Sequence, residues 1–308
     1  MKVCLFFAAV AFLSAQSSSS SSTTDINGNR IPGGQIVSTD GTTTDLRQSI
    51  NGRVVPLQQT EEKVLSKSGD TTVTERIVRH YGANGEVVET ERVVTEETKT
   101  ANGDSTVHSK TYRSDISGNM PEVEQRTVET HKSGEATTTD TTVEKKDLSG
   151  SFAVAEKRTA VSEPTSDGKK ESETLLLRDT NGNLYDAQRS STVETKTGNE
   201  VVRNTAIYQP NASGEMSLTR QQVMKMSTNP DGSSTEEVEI FGRASDGRAH
   251  EAGAPPSLTE KRTIERSKNS SGAIVETQTV QLPDVNAPGR LQPPHQVSET
   301  ICRGECKP

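Results

Sequence analysis

The chain has 308 residues, of which 29% are hydrophobic and 3% aromatic, with no Trp and a formal charge of −8. So little apolar material excludes one large packed core, and the acidic balance excludes a nucleic-acid binder working through a basic face that neutralises phosphate. The composition favours pairing of backbone instead, because Thr, Val and Glu dominate and branching at Cβ suits a pleated strand.

Met1-Lys2 and the apolar run from Val3 to Leu13 are too short to span a bilayer and predict a secretory signal over residues 1–16. Ala15-Gln16-Ser17 supplies a small-x-small cleavage element, and Cys4 has no lipobox ahead of it, so the mature chain is expected to be exported and free. Residues 17–49 begin with six consecutive serines, Ser17 to Ser22, and stay rich in Ser, Thr, Asp and Gly. Such a composition buries too little apolar area to offset its ordering entropy, which predicts a flexible leader with one weak hairpin at Asp25-Ile26-Asn27-Gly28-Asn29.

From residue 50 to 300 the chain is punctuated by turns. Asp179-Thr180-Asn181-Gly182-Asn183 is one copy: Asp and Asn cap their own backbone, and Gly accepts positive φ. Fifteen such glycines run from Gly52 to Gly289 at intervals of 14 to 18 residues, apart from 25 between Gly247 and Gly272. Gly52, Gly118, Gly182 and Gly247 are 66, 64 and 65 apart, which defines a super-repeat of about 65 residues and four strands. The long interval marks a loop insertion near residues 249–257, where insertions in repeat proteins collect. Leu46, Tyr112, Leu176 and Phe241 each precede their glycine by six residues and are expected to form an apolar core column.

About four turn residues per interval leave ~12 for a strand, or about 40 Å at ~3.3 Å per residue. The expected fold is all-β: an elongated antiparallel meander of long strands joined by Gly turns. Two alternatives are a four-bladed β-propeller, whose blades are four-stranded meanders, and a largely disordered chain. A sixteen-stranded membrane barrel matches the strand count but needs an apolar lipid-facing band, which Thr137-Thr138-Thr139-Asp140-Thr141-Thr142 cannot supply. Lys and Arg alternating with Glu along the strands predict cross-strand ion pairs of small individual value.

Arg178-Asp179-Thr180-Asn181-Gly182-Asn183-Leu184, His80-Tyr81-Gly82-Ala83-Asn84-Gly85-Glu86 and Arg113-Ser114-Asp115-Ile116-Ser117-Gly118-Asn119-Met120 resemble the Y-D-x-x-G-N/R-L turns of the YD-repeat (RHS) family. The resemblance covers the turns, since most copies here lack the Tyr and the spacing is longer. It implies a secreted or surface β-shell of strand-turn repeats, a type that in some members encloses a toxin domain, and it carries over no functional residue.

Candidate chemistry is sparse. His80, His108, His131, His250 and His295 have no companion ligand at metal spacing, and no G-x-S-x-G elbow, P-loop or dinucleotide fingerprint occurs. No catalytic residue and no cofactor is therefore expected. Asp179, Asn181 and Asp186 form a weak calcium candidate, because closely spaced oxygens about a Gly turn can wrap a hard cation, although the same residues serve plain turn chemistry. Cys302 and Cys306 predict a disulfide around a tight loop bent at Gly304, with free thiols or an intermolecular link as alternatives. Asn211 and Asn269 head glycosylation sequons.

The expected function is that of an exported, non-enzymatic β-repeat, a structural or adhesive component of a cell surface or matrix. Its partners would be surface or matrix polymers or other copies of itself, with no nucleic acid and no membrane span in the mature chain. A β-domain binding glycan or protein through its loops is the alternative, and a secreted hydrolase the third.

Overall fold

The computed structural model describes residues 17–23, 35–40, 42–50, 53–147, 149–242, 256–284, 287 and 290–303. The signal at 1–16, the hairpin at Asp25–Asn29, most of the insertion near 249–257, and Cys306 lie outside the described residues.

Strands dominate. They are β1 (Ser17–Thr23), β2 (Gln35–Asp40), β3 (Thr43–Ile50), β4 (Arg53–Ser68), β5 (Thr71–Tyr81), β6 (Val87–Lys99), β7 (Ser105–Arg113), β8 (Glu122–Ser133) and β9 (Ala136–Lys146). They continue as β10 (Phe152–Thr165), β11 (Gly168–Arg178), β12 (Leu184–Thr197), β13 (Glu200–Pro210), β14 (Met216–Thr228), β15 (Ser234–Gly242), β16 (Ser257–Lys268), β17 (Ile274–Gln281) and β18 (His295–Arg303). Every strand pairs antiparallel with its successor, so the sheet is one all-β meander of long strands joined by Gly turns. Pairing runs unbroken across every 65-residue boundary, which a propeller of separate blades would not allow.

The leader at 17–49 differs from expectation, since it contributes three strands. Ser20 of β1 is in register with Ile301 of β18 on one side and with Ile36 of β2 on the other, so β1 joins the two ends of the meander. Low apolar content does not prevent this, because these strands are held by ladder hydrogen bonds, which any residue except proline can donate. At the other end, the boundary drawn at residue 300 falls inside β18, which runs to Arg303.

The two faces differ. Following the registers strand by strand puts Val78, Thr141, Val143, Val238 and Ile240 on one face, and all five are buried. That face is concave, for over β4 to β9 it encloses a cavity of about 1020 Å³ lined by Arg76, Val93, Val107 and Val128 among others. No side chain among the described residues is fully buried. A sheet of this many strands, curved on itself, leaves an aqueous interior rather than a packed core.

The structural repeat is finer than 65 residues. Turns headed by Asp115, Asp147, Asp179 and Asn211 follow at steps of 32, and in each the Gly three residues on donates its N–H to the heading carbonyl at 2.9–3.1 Å. Beyond each turn the next strand carries one extra residue, Val123, Ala155, Ala187 or Thr219, where the register shifts. The unit is therefore a hairpin with a bulge at one end, and bulges there bend and twist a strand as the rim of a curved sheet requires.

Bulges of this kind account for the apolar column. Leu46, Tyr112, Leu176 and Phe241 each border a register shift, on β3, β7, β11 and β15. None belongs to the buried set, Leu46 lies on the concave face, and the other three lie on the convex one. The expected common core column is therefore corrected: its periodicity records where the ladder is interrupted. Among the described residues eleven glycines take positive φ, all of them among the fifteen turn glycines; Gly182, at φ 89°, is representative. Gly182→Ala is expected to destabilise by about 1 kcal/mol in chemical denaturation, because a Cβ is strained in that conformation. The accompanying rise in hydrogen exchange should stay within β11 and β12.

Candidate functional site

The Asp179 turn is built by its own side chain. Asp179 Oδ1 accepts the backbone N–H of Asn183 at 2.8 Å and of Asn181 at 2.9 Å, and these bonds hold its carboxyl below the usual aspartate range. Asp186 lies beyond the turn on β12, where Arg189 Nε donates to Oδ2 at 2.7 Å while Oδ1 is buried without a partner. Asn181 enters this arrangement through its backbone. The three residues of the calcium candidate are thus engaged separately, and among the described residues no group of three or more His, Cys, Asp or Glu is placed to hold a metal ion.

The same cap recurs. Asp147 Oδ1 accepts from the Ser149 hydroxyl at 2.6 Å and its N–H at 2.8 Å, and Asp115 binds Asn119 through side chain and backbone. Both carboxyls are lowered by these bonds, led by the side-chain ones. Groups depressed on folding stabilise above their unfolded pKa and lose that contribution as pH falls through the folded value. Carboxyl NMR titration should place Asp115, Asp147 and Asp179 below ordinary aspartate; ordinary values would contradict the caps.

Asn211 and Asn269, which head the sequons, occupy the same position. Asn211 Oδ1 accepts Ser213 N–H at 2.9 Å and Glu215 N–H at 3.0 Å, and Asn269 Oδ1 accepts Ser271 N–H and Ala273 N–H, each at 3.0 Å. Cys302 is in register with Ile274 and with Ser19, within a regular strand; its proposed partner Cys306 is outside the described residues. Of the histidines, His108 Nδ1 lies 3.1 Å from Thr127 Oγ1 and His131 Nδ1 3.8 Å from Asp104 Oδ2, while His250 is outside the described residues.

Charged side chains form ladders. On the convex face Lys63 Nζ meets Glu75 at 2.7 Å, Arg92 Nε meets it at 2.6 Å from the other side, and Arg92 then lies 5.3 Å over the Tyr112 ring. Four adjacent strands, β4 to β7, are tied by this row. On the concave face Arg158 contacts Glu156 at 3.3 Å and Glu173 at 3.2 Å, Arg203 contacts Glu194 at 2.6 Å, and Arg266 contacts Glu276 at 2.6 Å.

The concave cavity over β4 to β9 was not foreseen in the sequence. Its wall combines Arg76, Lys99, Arg113, Arg126, Lys145 and Lys146 with Glu62, Glu91, Glu97 and Glu124, over a floor of Val and Thr. Arg113 is paired with Glu91 at 2.9 Å and Lys145 with Glu124 at 3.4 Å. The detectable signal was alternate-residue placement of Arg and Thr in β5, β7 and β8, which becomes legible once the bulges fix which parity faces inward.

No protein-family model and no curated protein matches the chain. Among solved structures, a porin-like protein from Bacteroides uniformis matches at 9% identity over 80% of this chain and 95% of that chain, with a TM-score of 0.15, a likeness too slight to bear on fold or function.

Proposed function

We propose that this chain is an exported, non-enzymatic β-repeat that serves as a structural or adhesive component of a cell surface or matrix. The observation that carries the reading is that charged side chains stand mid-strand on both faces of the sheet. Mid-strand charges stand on the concave face at Arg158, Glu173 and Arg203 and on the convex face at Glu75, Arg92 and Lys157. A lipid-facing band would put such residues in hydrocarbon, at ~2–4 kcal/mol for each Arg or Lys at the midplane. Ionisable groups are tied to one another in turns and ladders, which suits a scaffold whose repeated hairpins supply reach and a repeated polar surface. The apolar N-terminal run supplies the export signal.

Fractionation of the source cells with an antibody to the folded region tests this reading. The protein is expected in the medium, the cell-surface extract or the insoluble matrix, with an N-terminus between Gln16 and Ser18. An intact Met1 and retention inside the cell would overturn it.

A further inference from the structure

The concave groove over β4 to β9 is out of balance with the rest of the chain. Its wall carries five inward-facing cations, Arg76, Lys99, Arg113, Arg126 and Lys145, against four carboxylates, in a protein whose formal charge is −8, while Lys146 directs its Nζ over the Phe152 ring instead. Most of these cations have local ties, but Arg76 and Arg126 are exposed to the groove and have no carboxylate within ion-pair distance among the described residues. On the far side of the same face, Arg158, Arg203, Arg262 and Arg266 are each paired with glutamate, while Arg220, opposite Ile207, stands alone without a carboxylate at ion-pair distance among the described residues; Arg76 and Arg126 differ from it in sharing one cavity.

Shape and lining narrow the occupant. Six adjacent strands at ~4.8 Å spacing make the groove about 25 Å across, longer than a single small molecule. Its floor alternates Val93, Val107 and Val128 with Thr74, Thr95 and Thr111, offering methyl groups to C–H faces and hydroxyls to hydroxyls. Among the described residues no aromatic side chain lines it, so these supply no stacking platform of the kind single-stranded nucleic acids use. We infer that this groove binds a linear acidic polysaccharide, its carboxylates meeting Arg76 and Arg126 and its sugar hydroxyls meeting the threonines. Guanidinium suits this role because its planar fork takes a carboxylate through two parallel hydrogen bonds. The inference deepens the proposed surface or matrix role by naming a polymer partner, but its test in solution is independent of where the protein resides.

Binding of the secreted full chain to polygalacturonate, measured by calorimetry or affinity electrophoresis at low salt, decides the matter. The wild type should bind polygalacturonate and not neutral dextran. Arg76→Glu with Arg126→Glu should weaken binding at least tenfold, whereas Lys110→Glu with Lys157→Glu, the same charge change on the convex face, should change it less than twofold. Arg76→Gln with Arg126→Gln replaces the reversal where circular dichroism shows loss of strand. Absence of wild-type binding, equal loss in the two double variants, or equal affinity for dextran would overturn the inference. Binding of poly(dT) as tight as polygalacturonate would assign the groove to nucleic acid and overturn it as well.

Discussion

Gly168→Ala is expected to destabilise the protein by about 2–3 kcal/mol, the cost of forcing atoms into a packed contact that cannot relax. Gly168 opens β11 in ordinary extended backbone, opposite Thr165 on one side and Thr195 on the other. A Cβ there would sit 1.9 Å from the Glu194 carbonyl oxygen and 2.7 Å from its carbon. Both are main-chain atoms of β12, so no side chain can swing away, and relief requires β11 and β12 to part. Gly134→Ala is the control: at φ 62° and with nothing within 4 Å of a new Cβ, it bears only the conformational strain, about 1 kcal/mol. Equal effects in urea titration would contradict this close approach.

Replacing Glu75 comes next in size. Its carboxylate is buried between Lys63 at 2.7 Å and Arg92 at 2.6 Å, two charge-assisted bonds joining β4, β5 and β6. Glu75→Ala should destabilise by about 2 kcal/mol, at the lower end for charged hydrogen bonds because both cations are partly exposed and become hydrated when released. The Lys63 bond first and the Arg92 bond second hold the Glu75 carboxyl below the usual glutamate range. A depressed folded pKa stabilises fully above the unfolded value, about 4.3, and the contribution fades as pH falls through the folded one. The stability gap between wild type and Glu75→Gln should accordingly be constant from about pH 7 to pH 5 and shrink in acid. A gap that widened in acid would reverse the sign and exclude the assignment.

How much of this was legible depends on which interactions leave a mark in side chains. The turns did, since eleven of the anticipated glycines have positive φ and the heading Asp and Asn residues cap them as their chemistry suggests. Bulges did not, because an extra residue such as Ala187 reverses the parity of everything beyond it without changing composition. That reversal made Tyr112 look like core, whereas it is half-buried beneath Arg92 on the convex face. Backbone pairing was the least visible. Six serines carry no pattern of alternation, yet Ser17–Thr23 pairs on both sides, because ladder bonds do not depend on side chains. The groove could not be read at all until parity was known, since Arg76 and Arg126 are 50 residues apart and share a face only through three intervening registers.

The joining of the meander's two ends through β1 is tested most directly by paired cysteines in the secreted chain, with the native cysteines replaced by Ser. Antiparallel partners lie ~4.5–5.5 Å apart at Cα, within reach of a disulfide. Ser20→Cys with Ile301→Cys and Ser20→Cys with Ile36→Cys should both cross-link within one molecule under mild oxidation. Val128→Cys with Thr141→Cys, in the middle of the sheet, should do so too. Cross-linking of this internal pair with neither β1 pair reacting would contradict the closure and leave an open sheet.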